Sequence, residues 1–194
     1  MNRQRSVALV TGGRRGIGLG IARALAAKGF DLAIPDRERD EAVIHELRGL
    51  GGRVAFFESD LASIETHEAA VAAVVNEFGG IDCLVNNAGM GSVERGDFLG
   101  LKPENFDTII DVNLRGTVFF TQAVVKAMLA VTDVRFPRSI VTISSVSSVM
   151  TSPERLDYCI SKAGLTAFVQ GLALRLAEAR IGVFEVRPGI IRTD

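Results

Sequence analysis

The sequence predicts an α/β protein, a doubly wound parallel sheet sandwiched between helices in three layers. Short apolar runs alternate along the chain with longer segments of helical period, the pattern of repeated βαβ units. Four of the runs end in polar or glycine-rich turns: Gly12-Gly13, Asp60, Asn86-Asn87-Ala88-Gly89 and Ser144-Ser145. The segment Thr11-Gly12-Gly13-Arg14-Arg15-Gly16-Ile17-Gly18 stands between a strand and a helix, the context in which such a turn receives a phosphate.

Ser6–Thr11 is the first strand, apolar almost without interruption, as a strand covered on both faces must be. Gly16–Lys28 is the first helix, with Ile17, Ile21 and Leu25 on one face and Gly29 as its stop. Asp31–Pro35 is the second strand and Arg39–Leu50 the second helix, ended by Gly51-Gly52. Arg53–Phe57 follows as a strand, then Ile64–Phe78 as a helix with Val71, Val74, Val75 and Phe78 at helical spacing, ended by Gly79-Gly80. Cys83–Asn86 is the fourth strand. Pro103–Leu129 is helical, and Asn113 interrupts its apolar run, so a kink or a break is expected there. Ala130–Arg138 reads as a surface loop and Ser139–Ser144 as the fifth strand. Leu156–Arg180 is a long helix whose stripe of Leu165, Phe168, Val169, Leu172, Ala173 and Leu176 faces a core. Gly182–Val186 is the sixth strand.

A chain of 194 residues suits one domain with a full core. Its 47% hydrophobic and 23% charged residues are a soluble globular balance, and a net charge of -1 gives no electrostatic case for nucleic acid or an anionic membrane. No apolar stretch reaches the roughly 20 residues of a membrane span. Met1–Arg5 carries no apolar signal core, and the 2 cysteines, Cys83 and Cys159, offer neither a disulfide framework nor metal-ligand spacing. A reducing cytoplasmic setting without a metal is the expectation. A Ser-His-Asp hydrolase does not fit: His45 and His67 fall on helix faces, where they are expected to be solvated, and no G-x-S-x-G turn exists.

The chemistry gathers at the strand ends, where open parallel sheets bind ligands. Tyr158 and Lys162 stand at i and i+4, on one face of a helix. An ammonium beside a phenol favours phenolate, whose ordinary pKa is about 10, and a tyrosine so tuned exchanges a proton with a substrate oxygen. Ser145 offers a hydroxyl to hold that oxygen. The glycines of the first turn let backbone N–H groups reach a pyrophosphate at a helix N-terminus. Asp36 stands near the roughly 20-residue offset at which an acid takes the adenosine ribose hydroxyls of NAD. Arg15 and Arg37 flank the same place and oppose that reading, since either can pair with a 2′-phosphate. NAD(H) is favoured over NADP(H), because a carboxylate there penalises the phosphate directly while flexible arginines turn to solvent. Asp60 is either an acceptor for the adenine amino group or a helix cap. Asn86 and Asn87, with Gly89, are either ligand-facing amides or plain turn residues.

Together these residues resemble the short-chain dehydrogenase/reductase family. The glycine turn, Asn86-Asn87-Ala88-Gly89, Asn113, Ser145, Tyr158 with Lys162, and Pro188-Gly189-Ile190-Ile191-Arg192-Thr193 follow that family's order and spacing from Ser6 to Asp194. Within it the chain is similar to 3-oxoacyl-[acyl-carrier-protein] reductases. The resemblance implies a Rossmann-type fold and hydride transfer between NAD(H) or NADP(H) and a carbonyl or secondary alcohol. It makes Tyr158 the general acid/base, Lys162 its partner and the holder of the nicotinamide ribose, Ser145 the residue that orients the substrate oxygen, and Asn113 the support of a proton relay. The implied cofactor contacts are Gly12, Arg14, Arg15, Gly16, Ile17, Gly18, Asp36, Arg37, Asp60, Leu61, Asn87, Ala88, Gly89, Tyr158, Lys162, Pro188 and Gly189. Ile191 and Thr193 would meet the nicotinamide carboxamide. The implied substrate is a small carbonyl compound or acyl thioester, and the implied assembly is a homodimer or homotetramer built on helices 104–129 and 157–180. Family members continue beyond the Pro-Gly segment into a substrate-covering lobe and a last strand, so the sequence reads as a single domain without that lobe. A non-catalytic nucleotide-binding module, or an enzyme acting on another ketone, a sugar or a polyol, are the alternatives, with an epimerase or dehydratase behind them.

Overall fold

The computed structural model describes residues 3–191. Within them a parallel sheet of 6 strands runs in the order β3-β2-β1-β4-β5-β6. The strands are β1 (Val7–Val10), β2 (Asp31–Asp36), β3 (Val54–Glu58), β4 (Cys83–Asn86), β5 (Arg138–Ile143) and β6 (Ile181–Val186). Helices α1 (Gly16–Ala27), α2 (Glu41–Arg48), α3 (His67–Phe78), α4 (Pro103–Ile110), α5 (Thr117–Ala130) and α6 (Leu156–Leu176) lie between them in sequence. The strand order reverses between β1 and β4, and that crevice is the switch point where such sheets bind ligands.

Alternation along each strand divides the core into two. Val7 and Leu9 of β1 point with Leu84 and Ile140 toward Val71, Val74 and Phe78 of α3, Phe120, Val124 and Met128 of α5, and Leu176 of α6. Ala8 and Val10 point the other way, with Leu32, Ile34 and Val85, toward Ala22 and Ala26 of α1 and Ile44 and Leu47 of α2. Every residue of β1 is fully buried, which is why its sequence shows no polar alternation. Removing a buried ring such as that of Phe120 would cost about 3–5 kcal/mol.

The ends of the elements differ from the sequence reading where side chains cap or pair. α2 starts at Glu41 because Asp40 Oδ1 accepts from Val43 N at 3.1 Å. β2 runs through Asp36, which pairs in register with Glu58 of β3. β5 begins at Arg138, at the end of the expected loop. The long helix stops at Leu176, four residues short of the expected Arg180, and the turn after it puts Arg180 in the left-handed region at φ 54°. The expected break in Pro103–Leu129 is a π turn, Asp111–Gly116, joining α4 to α5 with Asn113 buried inside it. A Cβ on Gly116 would lie 2.3 Å from the Leu61 carbonyl oxygen, so only glycine lets this wide turn press on the loop after β3. No helix among the described residues is long and apolar enough to cross a membrane.

Candidate active site

The glycine turn after β1 and the loop after β4 are bound together at the switch point. Thr11 Oγ1 accepts from the backbone N–H groups of Asn87 and Ala88, each at 3.0 Å. Asn87 Nδ2 donates back to the carbonyls of Thr11 at 3.0 Å and Gly12 at 3.1 Å. Gly12 takes φ 63° and Gly16 φ 54°, conformations that side chains resist. Gly18 has no alternative either: a Cβ there would stand 2.1 Å from Gly12 O and 2.4 Å from Asn87 Nδ2. These contacts bring the N-terminus of α1 hard against the end of β1. Arg15, at its N-cap, makes no side-chain cap bond, and no acid stands in the first turn. The leading N–H donors of α1 are therefore left for an external anion. Asn86 is not part of this surface; its amide points inward to Thr121 Oγ1 at 2.8 Å.

At the end of β2, Arg14 rather than Arg15 or Arg37 is the cation held beside Asp36. Arg14 Nη2 lies 2.7 Å from Glu38 Oε2, and its Nε stands 3.8 Å from Asp36 Oδ1, beyond hydrogen-bond reach, buried and unpartnered. Arg15 and Arg37 are exposed. Asp60 closes an Asx turn, its Oδ1 accepting from Ala62 N at 3.0 Å, instead of capping a helix. Leu61 beside it is buried, and its carbonyl lies 3.1 Å from His67 Nε2. His67 corrects the sequence reading. It is 1% exposed, edge-on to Phe120 with centroids 5.2 Å apart, and burial lowers its pKa below 6.5. His45 is exposed, as expected.

The ends of β5 and α6 carry the proton chemistry. Ser145 stands in extended backbone just past β5, and its Oγ accepts from Ser147 N at 3.1 Å, which leaves its own proton to give away. Lys162 is 5% exposed; its Nζ donates to Ile143 O at 3.2 Å and lies 5.7 Å from the centre of the Tyr158 ring. Burial pushes the Lys162 ammonium down from 10.5 to about 8. Arg155 adds a second cation over the same ring, at 5.4 Å. Asn113 is fully buried and clasps the loop after β4, accepting from Met90 N at 2.8 Å and donating to Met90 O at 2.9 Å. It also reaches Ser161 Oγ at 3.2 Å. A Cβ on Gly89 would come within 3.0 Å of Asn113 Oδ1 and 3.6 Å of Lys162 Nζ, so this loop lies directly over both side chains. The segment Pro188-Gly189 closes the same edge, with Val146 N donating to Pro188 O at 3.0 Å. Ile191 is exposed beyond it, and Thr193 lies outside the described residues.

The sequence profile of the short chain dehydrogenases matches residues 6–194. The chain belongs to that family. A 3-oxoacyl-[acyl-carrier-protein] reductase of Synechocystis is 35% identical over 191 residues, 97% of this chain and 75% of the relative. A Brucella melitensis 3-oxoacyl-[acyl-carrier protein] reductase in complex with NAD is 90% identical, with a TM-score of 0.98 over 100% of this chain and 76% of that one. An actinorhodin polyketide ketoreductase with NADPH is 35% identical, with a TM-score of 0.91 over 99% of this chain and 73% of that one. The protein is accordingly an oxidoreductase, and its sheet and flanking helices are those of short chain dehydrogenases.

Several members of this short chain dehydrogenase site escaped the sequence reading. Thr11 opens the glycine turn in the sequence, but its bonds to the N–H groups of Asn87 and Ala88 have no local signal there. Ser161 lies inside the Tyr158–Lys162 motif and donates to Tyr158 O at 2.8 Å. Arg155 gave no sign at all, because an arginine before a helix is ordinary.

Proposed function

We infer that the protein is an NAD(P)-dependent reductase of 3-oxoacyl thioesters or closely similar ketones. The observation that carries this reading is the buried Lys162, held beside Tyr158 and under the Gly89 loop at the sheet's switch edge. The residues fit a dinucleotide: an uncapped helix N-terminus, a glycine turn packed too closely against the protein to admit a Cβ, and the unpartnered Arg14 Nε beside Asp36. Gly12, Arg14, Arg15, Gly16, Ile17 and Gly18 would hold its pyrophosphate end, Asp36, Arg37, Asp60 and Leu61 its adenosine. Asn87, Ala88, Gly89, Lys162 and the Pro188–Thr193 segment would hold its nicotinamide end. When bound, the nicotinamide supplies the hydride.

The chain's own groups do the rest. Ser145 donates its free proton to the carbonyl oxygen and fixes its direction. Tyr158 gives that oxygen a proton as negative charge develops on it. Lys162 supports the developing phenolate with its charge, and Asn113 keeps the Met90 loop in place above the lysine. NAD(H) is the preferred cofactor. Arg14, the cation that could take a 2′-phosphate, is already engaged by Glu38 at 2.7 Å, so a phosphate would meet two carboxylates sharing one arginine. A homodimer or homotetramer is supported by the apolar side chains left outside on α5 and α6, among them Phe119, Leu129, Ile160 and Leu174. The deciding experiment follows NADH and NADPH oxidation at 340 nm with a 3-oxoacyl thioester and with simple ketones. Oxidation matched mole for mole by a hydroxyacyl product supports the reading; binding of the dinucleotide with no turnover of any ketone leaves the non-catalytic module in its place.

A further inference from the structure

Glu185 is the one carboxylate in the apolar run Ile181–Val186, and it is not an edge charge turned to water. Its side chain is 12% exposed, and it takes hydroxyl donors from two different elements. Ser144 Oγ donates to Oε1 at 2.5 Å and Thr166 Oγ1 donates to the same oxygen at 2.6 Å. Arg187 Nη2 donates to Oε2 at 2.8 Å. The Thr166 proton goes here rather than to Lys162 O, which stands farther off at 3.4 Å. Burial would raise the Glu185 carboxyl, but the bonds from Arg187, Ser144 and Thr166 outweigh it and hold it below 4.5, so it is an ionised acceptor.

These bonds close a circuit around the buried lysine. Lys162 Nζ reaches Ile143 O at 3.2 Å; the next residue, just past β5, is Ser144; Ser144 reaches Glu185; Glu185 reaches Thr166; and Thr166 is one helical turn from Lys162. The circuit includes the neighbour of Ser145 on one side and the turn that carries Lys162 on the other. Arg187 ties the same carboxylate to the strand exit that leads into Pro188-Gly189. We propose that Glu185 is a positioning residue of the reaction, fixing the spacing between the Ser144-Ser145 turn and the Lys162 turn. This rests on the reductase reading above.

Among the described residues, the charged and titratable groups linked to the lysine are Tyr158, whose ring it faces at 5.7 Å, Arg155 over that ring, and Glu185 with Arg187, joined to it through Thr166 one turn on. The π turn presents Asn113, and the Gly89-Met90 loop and Ile143 present backbone. Opening the circuit would free the Lys162 turn to shift from Ile143 O and let water reach Nζ, without removing a charge from its helix. For Glu185→Val, kcat should fall about 10- to 100-fold with the dinucleotide KM changed less than about threefold. The alkaline limb of the kcat/KM profile should move upward as the lysine regains hydration, while Glu185→Gln, which keeps an acceptor, restores most of kcat. A lowered melting temperature with kcat and the alkaline limb both unmoved overturns the proposal, as does a fall in kcat with an unmoved limb. If Glu185→Val does not fold, Ser144→Ala and Thr166→Val each open the circuit at one hydroxyl and are read against the same two results. Wild-type enzyme is assayed alongside: no turnover there defeats the reductase reading, whereas turnover with unaffected variants defeats only the role of Glu185.

Discussion

Lys162→Met should stabilise the cofactor-free protein while abolishing its activity. The lysine is 5% exposed, and burial alone accounts for the drop of its pKa from 10.5 to about 8. At roughly 1.4 kcal/mol per pH unit, folding pays about 3 kcal/mol to bury the charged form. Methionine fills a similar volume without that penalty but leaves Ile143 O without its 3.2 Å donor, a loss of about 1 kcal/mol. The net gain near neutral pH is about 2 kcal/mol.

The pH dependence gives this prediction its sharper form. Because the folded pKa lies below the unfolded one, the penalty is complete below about 8 and vanishes as pH rises to 10.5. Wild-type stability should therefore climb relative to Lys162→Met across that interval and overtake it at the top, where only the lost hydrogen bond remains. Urea unfolding of both proteins at a series of pH values, without dinucleotide so that ligand does not bias the folded state, measures the difference directly. A difference that stays constant from neutral pH to 10.5, or a variant less stable than wild type at neutral pH, refutes the reasoning.

Tyr158→Phe should lower kcat by about 10²- to 10⁴-fold while leaving the dinucleotide Kd, measured by fluorescence titration, nearly unchanged. Asp36→Ala removes one of the two carboxylates beside Arg14 and should narrow the NADH-over-NADPH preference in kcat/KM about tenfold; an unaltered ratio would show that Asp36 does not face the 2′ position. Gly18→Ala places a Cβ 2.1 Å from Gly12 O, so the α1 end must retreat from the switch point; melting should show a loss of about 1–3 kcal/mol and calorimetry a weaker dinucleotide complex. His67 is buried in its neutral form, so wild type should lose stability as pH falls below 6.5, and His67→Gln, which still offers Leu61 O a donor but takes up no proton, should lose less in acid unfolding curves.

The sheet was legible because its central strands β1, β2 and β4 are buried on both faces and the helices on one, and these two demands leave different periods in the sequence. Val7–Val10 had to be continuous and Val71, Val74 and Phe78 had to be spaced, whatever the rest of the chain did. Ends of elements were less legible where a side chain from the next residue decides them, as Asp40 does for α2. His67 shows a different failure. Helical phase says which residues share a face but not what covers that face, and here the carbonyl of Leu61 and the ring of Phe120 cover it.

The same distinction separates the parts of the active site. Tyr158 and Lys162 are set against each other by one helix, and the glycine turn by one strand–helix junction, so both survive as local patterns. Glu185 does not, because its partners are fixed by register: β5 and β6 pair Thr142 with Glu185, and that alignment brings the carboxylate within reach of Ser144. A shift of one residue in the pairing would have turned the side chain to the opposite face of the sheet and left the same sequence motif with no circuit at all. A carboxylate interrupting an apolar strand beside a catalytic helix is therefore a question that sequence can raise, and strand register is the physical quantity that answers it.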